Sequence, residues 1–415
     1  MVDWLYVYSI MAFVVVLIAI ILIDRKNITR DSIFILRKTK RGKKFLSMLG
    51  KRFPRGLKFA GMAGVFVTFA ASVYSFYLLL NVVVSALIVG KAVGSLSLVL
   101  PSPTPNAVML PGVFGIPFWH MIISLAILVV VHEGSHGLMA VRERVPIRSL
   151  GWGLLLVIPL AFVEPDEKVM EKRGGWPQLR IFAAGSFANF IVAGFVLLIS
   201  FPLFFGLFTP IGVGFIGYDE GYPAEHINLT GVITEINGQD VKTTGDLTLI
   251  MKTVHPGEVI EIVTKDYNEE GNIVTKTYEL TTAERLDDEG KPTGEAYMGI
   301  KGVLDGNDLS GFILPAVMFI NPDFDLLFSV NAGLEAYYGG IKFLLQLLSF
   351  LFIINFGVGL VNMLPLKPLD GGKMWEIIFK RVFPKRSGEI TRTVGYITLL
   401  LIISAFVIPN LVNII

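Results

Sequence analysis

Six stretches of this chain are too long and too apolar to be left in water, and that limits its fold more than any other feature. Trp4 to Ile23 carries no charged side chain, and about twenty such residues are what a helix needs to cross the hydrocarbon core of a bilayer. Phe59 to Gly90 is a second charge-free run, long enough to span with tilt. From Ala92 to Val131 the chain is again uncharged, but Pro101, Pro103, Pro105 and Pro111 interrupt it. That stretch reads as non-helical, either outside or dipping back into the membrane, with a third helix from about Gly115 to Ala140. Irregular backbone at membrane depth is tolerated only where protein covers it or a wet cavity lies beside it. Further spans are expected at Gln178 to Leu207, Leu334 to Leu364 and Thr393 to Ile415. Trp4 to Ile23 does not read as a cleaved signal peptide, since no basic residue precedes it and no small-residue cleavage site follows.

Charge distribution orients the spans. Only 17% of the 415 residues are charged, against about a quarter in soluble domains, and they are segregated. Between Asp24 and Lys58 there are 13 Lys or Arg and two Asp, which places that loop in the cytoplasm. Alternation then puts Val141 to Pro177 there too, with Arg142, Arg144, Arg148, Lys168, Lys172 and Arg173. It also puts Lys367 to Arg392 there, and leaves Gly212 to Asp305 outside. That last segment has 18 acidic and 7 basic residues. The expectation is a multi-pass protein of the cell membrane with both termini extracytoplasmic. Such a charge balance gives no basic surface for nucleic acid, and none is expected as a direct partner.

From Gly212 to Asp305 the period changes. Gly231 to Ile236 alternates as a strand does, Asn237-Gly238 signals a tight turn, and Val259 to Thr264 and Ile273 to Leu280 read as strands. Asp246 to Val254 reads as a short helix. Gly221-Tyr222-Pro223-Ala224, Gly231 to Gly238 and Val241 together resemble the core of a PDZ domain. That resemblance implies binding of an extended peptide or a C-terminus by strand addition. A cap with no ligand is the alternative for these residues.

The third helix carries the chemistry. With no cysteine in the chain, any metal must be held by His, Asp or Glu. His132-Glu133-Gly134-Ser135-His136 places two imidazoles four residues apart on one helical face, with a carboxylate beside them to take a proton from water that a metal activates. Polar groups at the end of an apolar helix are costly and are usually functional. At 1.5 Å per residue, His132 lies about 15 Å and His136 about 9 Å from the cytoplasmic Arg142. A catalytic zinc usually takes a third protein ligand. His120, Glu164, Glu167, Glu171 and Asp370 are candidates. His120 is about 18 Å up the same helix and too far. The three glutamates follow the helix at a workable distance, and Asp370 lies where the fifth span returns to the same depth. Asp370 could instead cap the amphipathic helix from Lys373 to Val382.

These residues resemble the site-2 protease family of intramembrane zinc metalloproteases, whose members carry HExxH on one span and an Asn-Pro-Asp-Gly or Leu-Asp-Gly motif on a later one. The resemblance covers residues 114 to 392. It implies zinc on His132, His136 and Asp370 of Leu369-Asp370-Gly371, with Glu133 as general base. It also implies substrate contacts from Asn189, in a Gly185-to-Asn189 motif on the intervening span, and from Asn362. For Asn189, close helix packing through Ala183, Ala184, Gly185, Ser186 and Ala188 is the competing reading. The apolar, Gly-rich segment Ser149 to Val163 resembles the family's membrane-dipping strands, with helix or hairpin left open.

The fold class expected is thus a multi-pass α-helical membrane protein of about six transmembrane helices, with an inserted small β-rich PDZ-like domain. Residues 1–58 form the first span and basic loop, 59–211 and 306–415 the two parts of the protease core, and 212–305 the inserted domain. The expected activity is zinc-dependent hydrolysis of a peptide bond in or near a transmembrane segment. Single-span membrane proteins, including membrane-anchored regulators, are the expected substrates, and the lipid bilayer is the medium. The alternatives are a chambered membrane zinc protease with a glutamate as third ligand, and a proteolytically inactive scaffold or chaperone.

Overall fold

The structure, a computed structural model, describes residues 3–31, 34–39, 41–89, 96–110, 112–155, 158–268, 270–287, 289–303, 320 and 324–412. The expected boundaries at Gly90, Ala92, Asp305 and Ile415, and Pro111, lie outside the described residues. Among the described residues, six helices are long and apolar enough to cross a membrane. Two compact units make up the chain, one of residues 1–196 with 350–415 and the other of residues 197–349.

In the first unit, α1 (Trp4–Ile23) starts at Asp3, whose carboxylate accepts from the Tyr6 N–H at 3.0 Å. None of its residues is buried, as befits a helix whose apolar side chains face lipid. The basic loop is not the loop its charge density suggests. It folds as strands β1 (Ile28–Asp31) and β2 (Phe34–Lys38) and helix α2 (Arg41–Arg52). Pro54 then opens α3 (Pro54–Val89), a first-turn position where its missing N–H costs nothing. The proline stretch forms a three-stranded sheet of β3 (Leu98–Ser102), β4 (Val108–Leu110) and β5 (Val113–Pro117). Because β5 claims residues through Pro117, α4 (Phe118–Arg142) begins three residues later than hydropathy suggests.

After α4 come β6 (Ile147–Leu155) and β7 (Ile158–Pro165), an antiparallel hairpin in a sheet of order β1-β2-β6-β7. The Ser149 to Val163 segment is therefore a hairpin, with residues 156–157 outside the described residues. Its glycines are structural: a Cβ on Gly151 would sit 2.1 Å from the Arg37 carbonyl oxygen, and one on Gly153 2.6 Å from that of Ile35. The short α5 (Glu167–Glu171) and long α6 (Gly175–Leu207) follow.

In the second unit, sheets are small. They comprise β8 (Phe208–Pro210), β9 (Gly217–Tyr218), β10 (Val232–Ile236), β11 (Gln239–Asp240), β12 (Val259–Tyr267), β13 (Ile273–Thr281), β14 (Ala283–Leu286), β15 (Pro292–Tyr297), β16 (Ile300–Lys301) and β17 (Phe328–Val330). The largest has the order β11-β10-β12-β13. Asn237 and Gly238 join β10 to β11 with φ of 49° and 76°, the two positive values a type I′ turn needs. Ile233, Ile236, Ile260, Ile262 and Leu280 fill the core beneath this sheet. Among the described residues, the unit's helices before its last span include α7 (Pro223–His226), α8 (Thr244–Met251) and α9 (Phe324–Leu327). Helix α8 is opened by a capping box of Thr243 and Asp246.

The chain returns to the first unit along α10 (Tyr338–Asn362), then α11 (Asp370–Val382) and α12 (Ser387–Val412). Val65 of α3, Ala183 of α6, Met363 and Met374 of α11 form one buried cluster. Leu79 and Val83 of α3 pack with Leu364 and Ala405 of α12 in another.

Candidate metal centre

Helix α4 presents His132 and His136 one turn apart, their Nε2 atoms 3.2 Å from each other. The third group comes from the far end of the chain. After α10 ends at Asn362, the backbone folds back so tightly that a Cβ on Gly371 would meet the Met363 carbonyl oxygen at 2.1 Å. One on Gly372 would meet the Leu366 carbonyl carbon at 2.5 Å. Only glycine fits at either place, and the tight reversal aims Asp370 at the imidazoles. Asp370 Oδ2 lies 3.0 Å from His136 Nε2 and 3.5 Å from His132 Nε2. Asp370 does not cap its helix: the N-cap is Leu369, and Asp370 is the first helical residue.

The distances test what the three groups can hold. Zinc bonds of about 2.0–2.1 Å in a tetrahedron give ligand–ligand edges of about 3.3 Å. The three edges here are 3.0, 3.2 and 3.5 Å, so the donor set fits. Gly185 of α6 leaves the room. A Cβ there would lie 2.4 Å from His136 Nε2 and 2.7 Å from His132 Nε2, in the space a shared ion would fill.

Partners behind the ligands fix their orientation. His136 Nδ1 donates to the Ile181 carbonyl at 2.7 Å, which leaves Nε2 as a bare lone pair. The Asn189 amide lies 3.0 Å from His132 Nδ1. With its oxygen turned to that nitrogen it accepts the Nδ1–H, and His132 Nε2 is freed in the same way. Asn189 is fully buried, and its contact is with the ligand. Asn362 Nδ2 donates to Asp370 Oδ2 at 2.9 Å and lies 3.1 Å from His132 Nε2.

Glu133 faces the opposite wall. Its Oε2 accepts the Val163 N–H of β7 at 3.0 Å. Strand β7 is an edge strand, and Val163 makes this bond from the side away from β6. A cavity of about 510 Å³ lies among His132, Glu133, His136, Asn362, Asp370 and the β7 residues Val163 and Glu164. The other ligand candidates stand apart. The carboxylate of Glu164 is bonded by the Ser149 hydroxyl, Glu167 borders the cavity, Glu171 is exposed, and the His120 ring lies 5.4 Å from that of Phe350. Among the described residues, only His132, His136 and Asp370 bring three ligand atoms together.

The sequence reading does not reach the Ile181 carbonyl or the Val163 N–H, since every residue type supplies a main chain. Gly185 stands in a motif it singled out, but the role of its missing side chain emerges only from the geometry.

An HExxH helix closed by a carboxylate from a later segment, set among spans of this length, defines a membrane metallopeptidase scaffold. Residues 120–402 match peptidase family M50, and the chain belongs to that family. Zinc is the cofactor that goes with it, and the His132–His136–Asp370 cluster can hold a metal ion. The chain is 28% identical over 405 residues to the uncharacterized protein MJ0971 of Methanocaldococcus jannaschii, which covers 95% of this chain and 91% of that one. It is 27% identical over 243 residues to the zinc metalloprotease RasP of Shouchella clausii, a match spanning 53% of this chain and 55% of the relative.

Proposed function

We propose that this chain is an intramembrane zinc metalloendopeptidase that cuts a peptide bond within or near the transmembrane segment of single-span membrane proteins. The observation that carries this reading is the meeting of His132, His136 and Asp370 within 4.8 Å of one another beside Glu133. His132, His136 and Asp370 would hold the ion. When bound, zinc supplies the positive charge that acidifies water and polarises a carbonyl. The Glu133 carboxylate takes the proton of the attacking water at its free oxygen and passes it to the leaving amine nitrogen. The Val163 N–H keeps the other Glu133 oxygen in place meanwhile. Asn362 has its amide at the ligand atoms, where it can donate to the oxygen that gains charge. Asn189 orients His132, and that contact favours a positioning role over the direct substrate contact its motif implies.

A helical substrate has its carbonyls locked in hydrogen bonds, so it must unwind before attack. The free edge of β7 offers an unwound segment main-chain partners next to Glu133. Lys and Arg bias supports a cytoplasmic end for α4 and α11, with both termini and the β-rich unit on the other side. We read that unit as PDZ-like, binding a peptide or C-terminus and excluding substrates whose ectodomains are intact. The test of the activity is to incubate the purified chain and its Glu133→Ala variant with a single-span substrate and map cuts by mass spectrometry. A cut inside the hydrophobic segment, absent in the variant and blocked by a chelator, is expected. A cut confined to residues outside the span refutes the intramembrane reading.

A further inference from the structure

A second polar cavity, of about 600 Å³, lies at the C-terminal end of α4, between the junction of α2 with α3 and the approach to α6. Lys51, Arg142, Arg144 and Arg173 line it, with Glu143 as the one acid. The charge of Glu143 is already committed. Its Oε1 accepts from Arg142 at 2.6 Å and from Arg180 at 2.8 Å, and its Oε2 accepts from Arg180 at 3.0 Å. Arg173 donates to the Arg144 carbonyl at 2.8 Å. Among the described residues, no carboxylate lies within ion-pair distance of Lys51, Arg144 or Arg173. The Arg142 Nε–H is buried and has no partner among the described residues. An anion in the cavity answers the excess positive charge of Lys51, Arg144 and Arg173.

Guanidinium forks together with a lysine suit the oxygens of a phosphate group. The surroundings say where such a group comes from. On α2, the inward face carries Leu46, which packs on Gly137, and Gly50, which packs on Val141. The outward face interleaves Lys44, Lys51 and Arg52 with Phe45 and Met48, all exposed. A face turned only to water has no use for large apolar side chains between its cations, whereas the headgroup layer of a bilayer accepts both. Phe53, just past the end of α2, is exposed as well, and the charge-free part of α3 starts at Phe59, about 8 Å beyond Pro54 along the helix.

We propose that the cavity formed by Lys51, Arg142, Arg144 and Arg173 binds a phosphate ester, supplied by the headgroup of an anionic phospholipid. Because Glu143 and Arg180 join the end of α4 to α6, the ligand sits against the helix pair that carries His132, His136 and Gly185.

The test uses the full chain in detergent, titrated with phosphatidylglycerol or phosphatidylcholine and followed by native mass spectrometry, with inorganic phosphate titrated separately by calorimetry. The variant is Lys51→Gln with Arg144→Asn. Arg144 has a φ of 59°, which asparagine tolerates, and neither side chain is needed by a neighbour. Lys168→Gln with Lys172→Gln removes the same charge from exposed positions outside the cavity. Phosphatidylglycerol is expected to bind in preference to phosphatidylcholine and to weaken about 25-fold in the cavity variant, roughly fivefold for each cation lost. The control variant is expected to bind as wild type. Saturable binding of inorganic phosphate alone, lost in the cavity variant, supports the phosphate site and overturns the lipid as its source. If neither probe distinguishes wild type from the cavity variant, or if the control loses as much, the proposal is overturned.

Discussion

Gly185→Ala is the most direct test of the metal centre, because one methyl group and the ion compete for the same space. The added carbon would stand 2.4 Å from His136 Nε2 and 2.7 Å from His132 Nε2. Non-bonded heavy atoms rest about 3.5 Å apart, so each imidazole would have to withdraw by about 1 Å. Metal sites tolerate ligand shifts of about 0.2 Å, and disturbing groups behind the ligands already costs about 10–100-fold in affinity. Zinc affinity should therefore fall about 100-fold or more. Helix stability should not fall with it, since alanine is favoured over glycine inside a helix by roughly 0.5–1 kcal/mol. Gly194→Ala, on the same helix with nothing within 4 Å of the new carbon, supplies the control. Zinc per chain, measured by elemental analysis after dialysis against a competing chelator, should drop toward zero for Gly185→Ala and stay at the wild-type level for Gly194→Ala. Full zinc retention by a folded Gly185→Ala protein would refute the assignment of this space to the ion.

Four further outcomes follow from the structure. Asp370→Ala should lose zinc in that assay and Glu164→Ala should keep it; the reverse pattern would point to a glutamate ligand. Val163→Pro removes the one N–H that holds Glu133 Oε2 without removing a β6 partner, and it should lower turnover about tenfold, as losing a hydrogen bond to a charged group does, with zinc content unchanged. Arg180→Ala takes two of the three hydrogen bonds from Glu143. It should destabilise the first unit by about 2 kcal/mol, below the usual cost of breaking a buried pair because Arg142 remains. Burial raises the Glu143 pKa, but Arg180 and Arg142 outweigh it and hold it below its ordinary 4.5. Its stabilising contribution is thus complete above that value and is lost as pH falls through the native pKa. Melting curves of wild type and Glu143→Gln should therefore converge on acidification; a gap that widens would refute the sign.

The spans were legible because a bilayer imposes one length and one composition on every helix that crosses it. Trp4–Ile23 is reproduced to the residue. The HExxH face was legible because its ligands share a helix. Asp370 is different: its position beside His132 depends on a reversal at Met363 to Leu366 that no local periodicity announces, so it was reached by topology and family resemblance. Strands β1 and β2 and helix α2 were hidden in a charge-rich segment whose strands are four and five residues long. Alternating Gly151 and Gly153 were a usable signal for them, since glycine spaced by two in a strand marks close approach of another backbone.

Depth along the membrane is set by the helices themselves, and that can be broken deliberately. On α4 and α10, His120 meets Phe350 with ring centroids 5.4 Å apart, and His132 meets Asn362 at 3.1 Å. Both steps are twelve residues in the same direction, so the two helices run parallel and keep register for about 18 Å. That register places Asn362, and through the glycine-dependent reversal Asp370, at the level of the imidazoles. One alanine inserted between Ile354 and Asn355 leaves Phe350 on His120 but advances Asn362 by about 1.5 Å and turns it by about 100°. Both shifts exceed what the ligand set tolerates, so zinc should be lost while α10 stays apolar and long enough to span. Retention of zinc after the insertion would mean that the 363–370 reversal, rather than helix register, finds the ion.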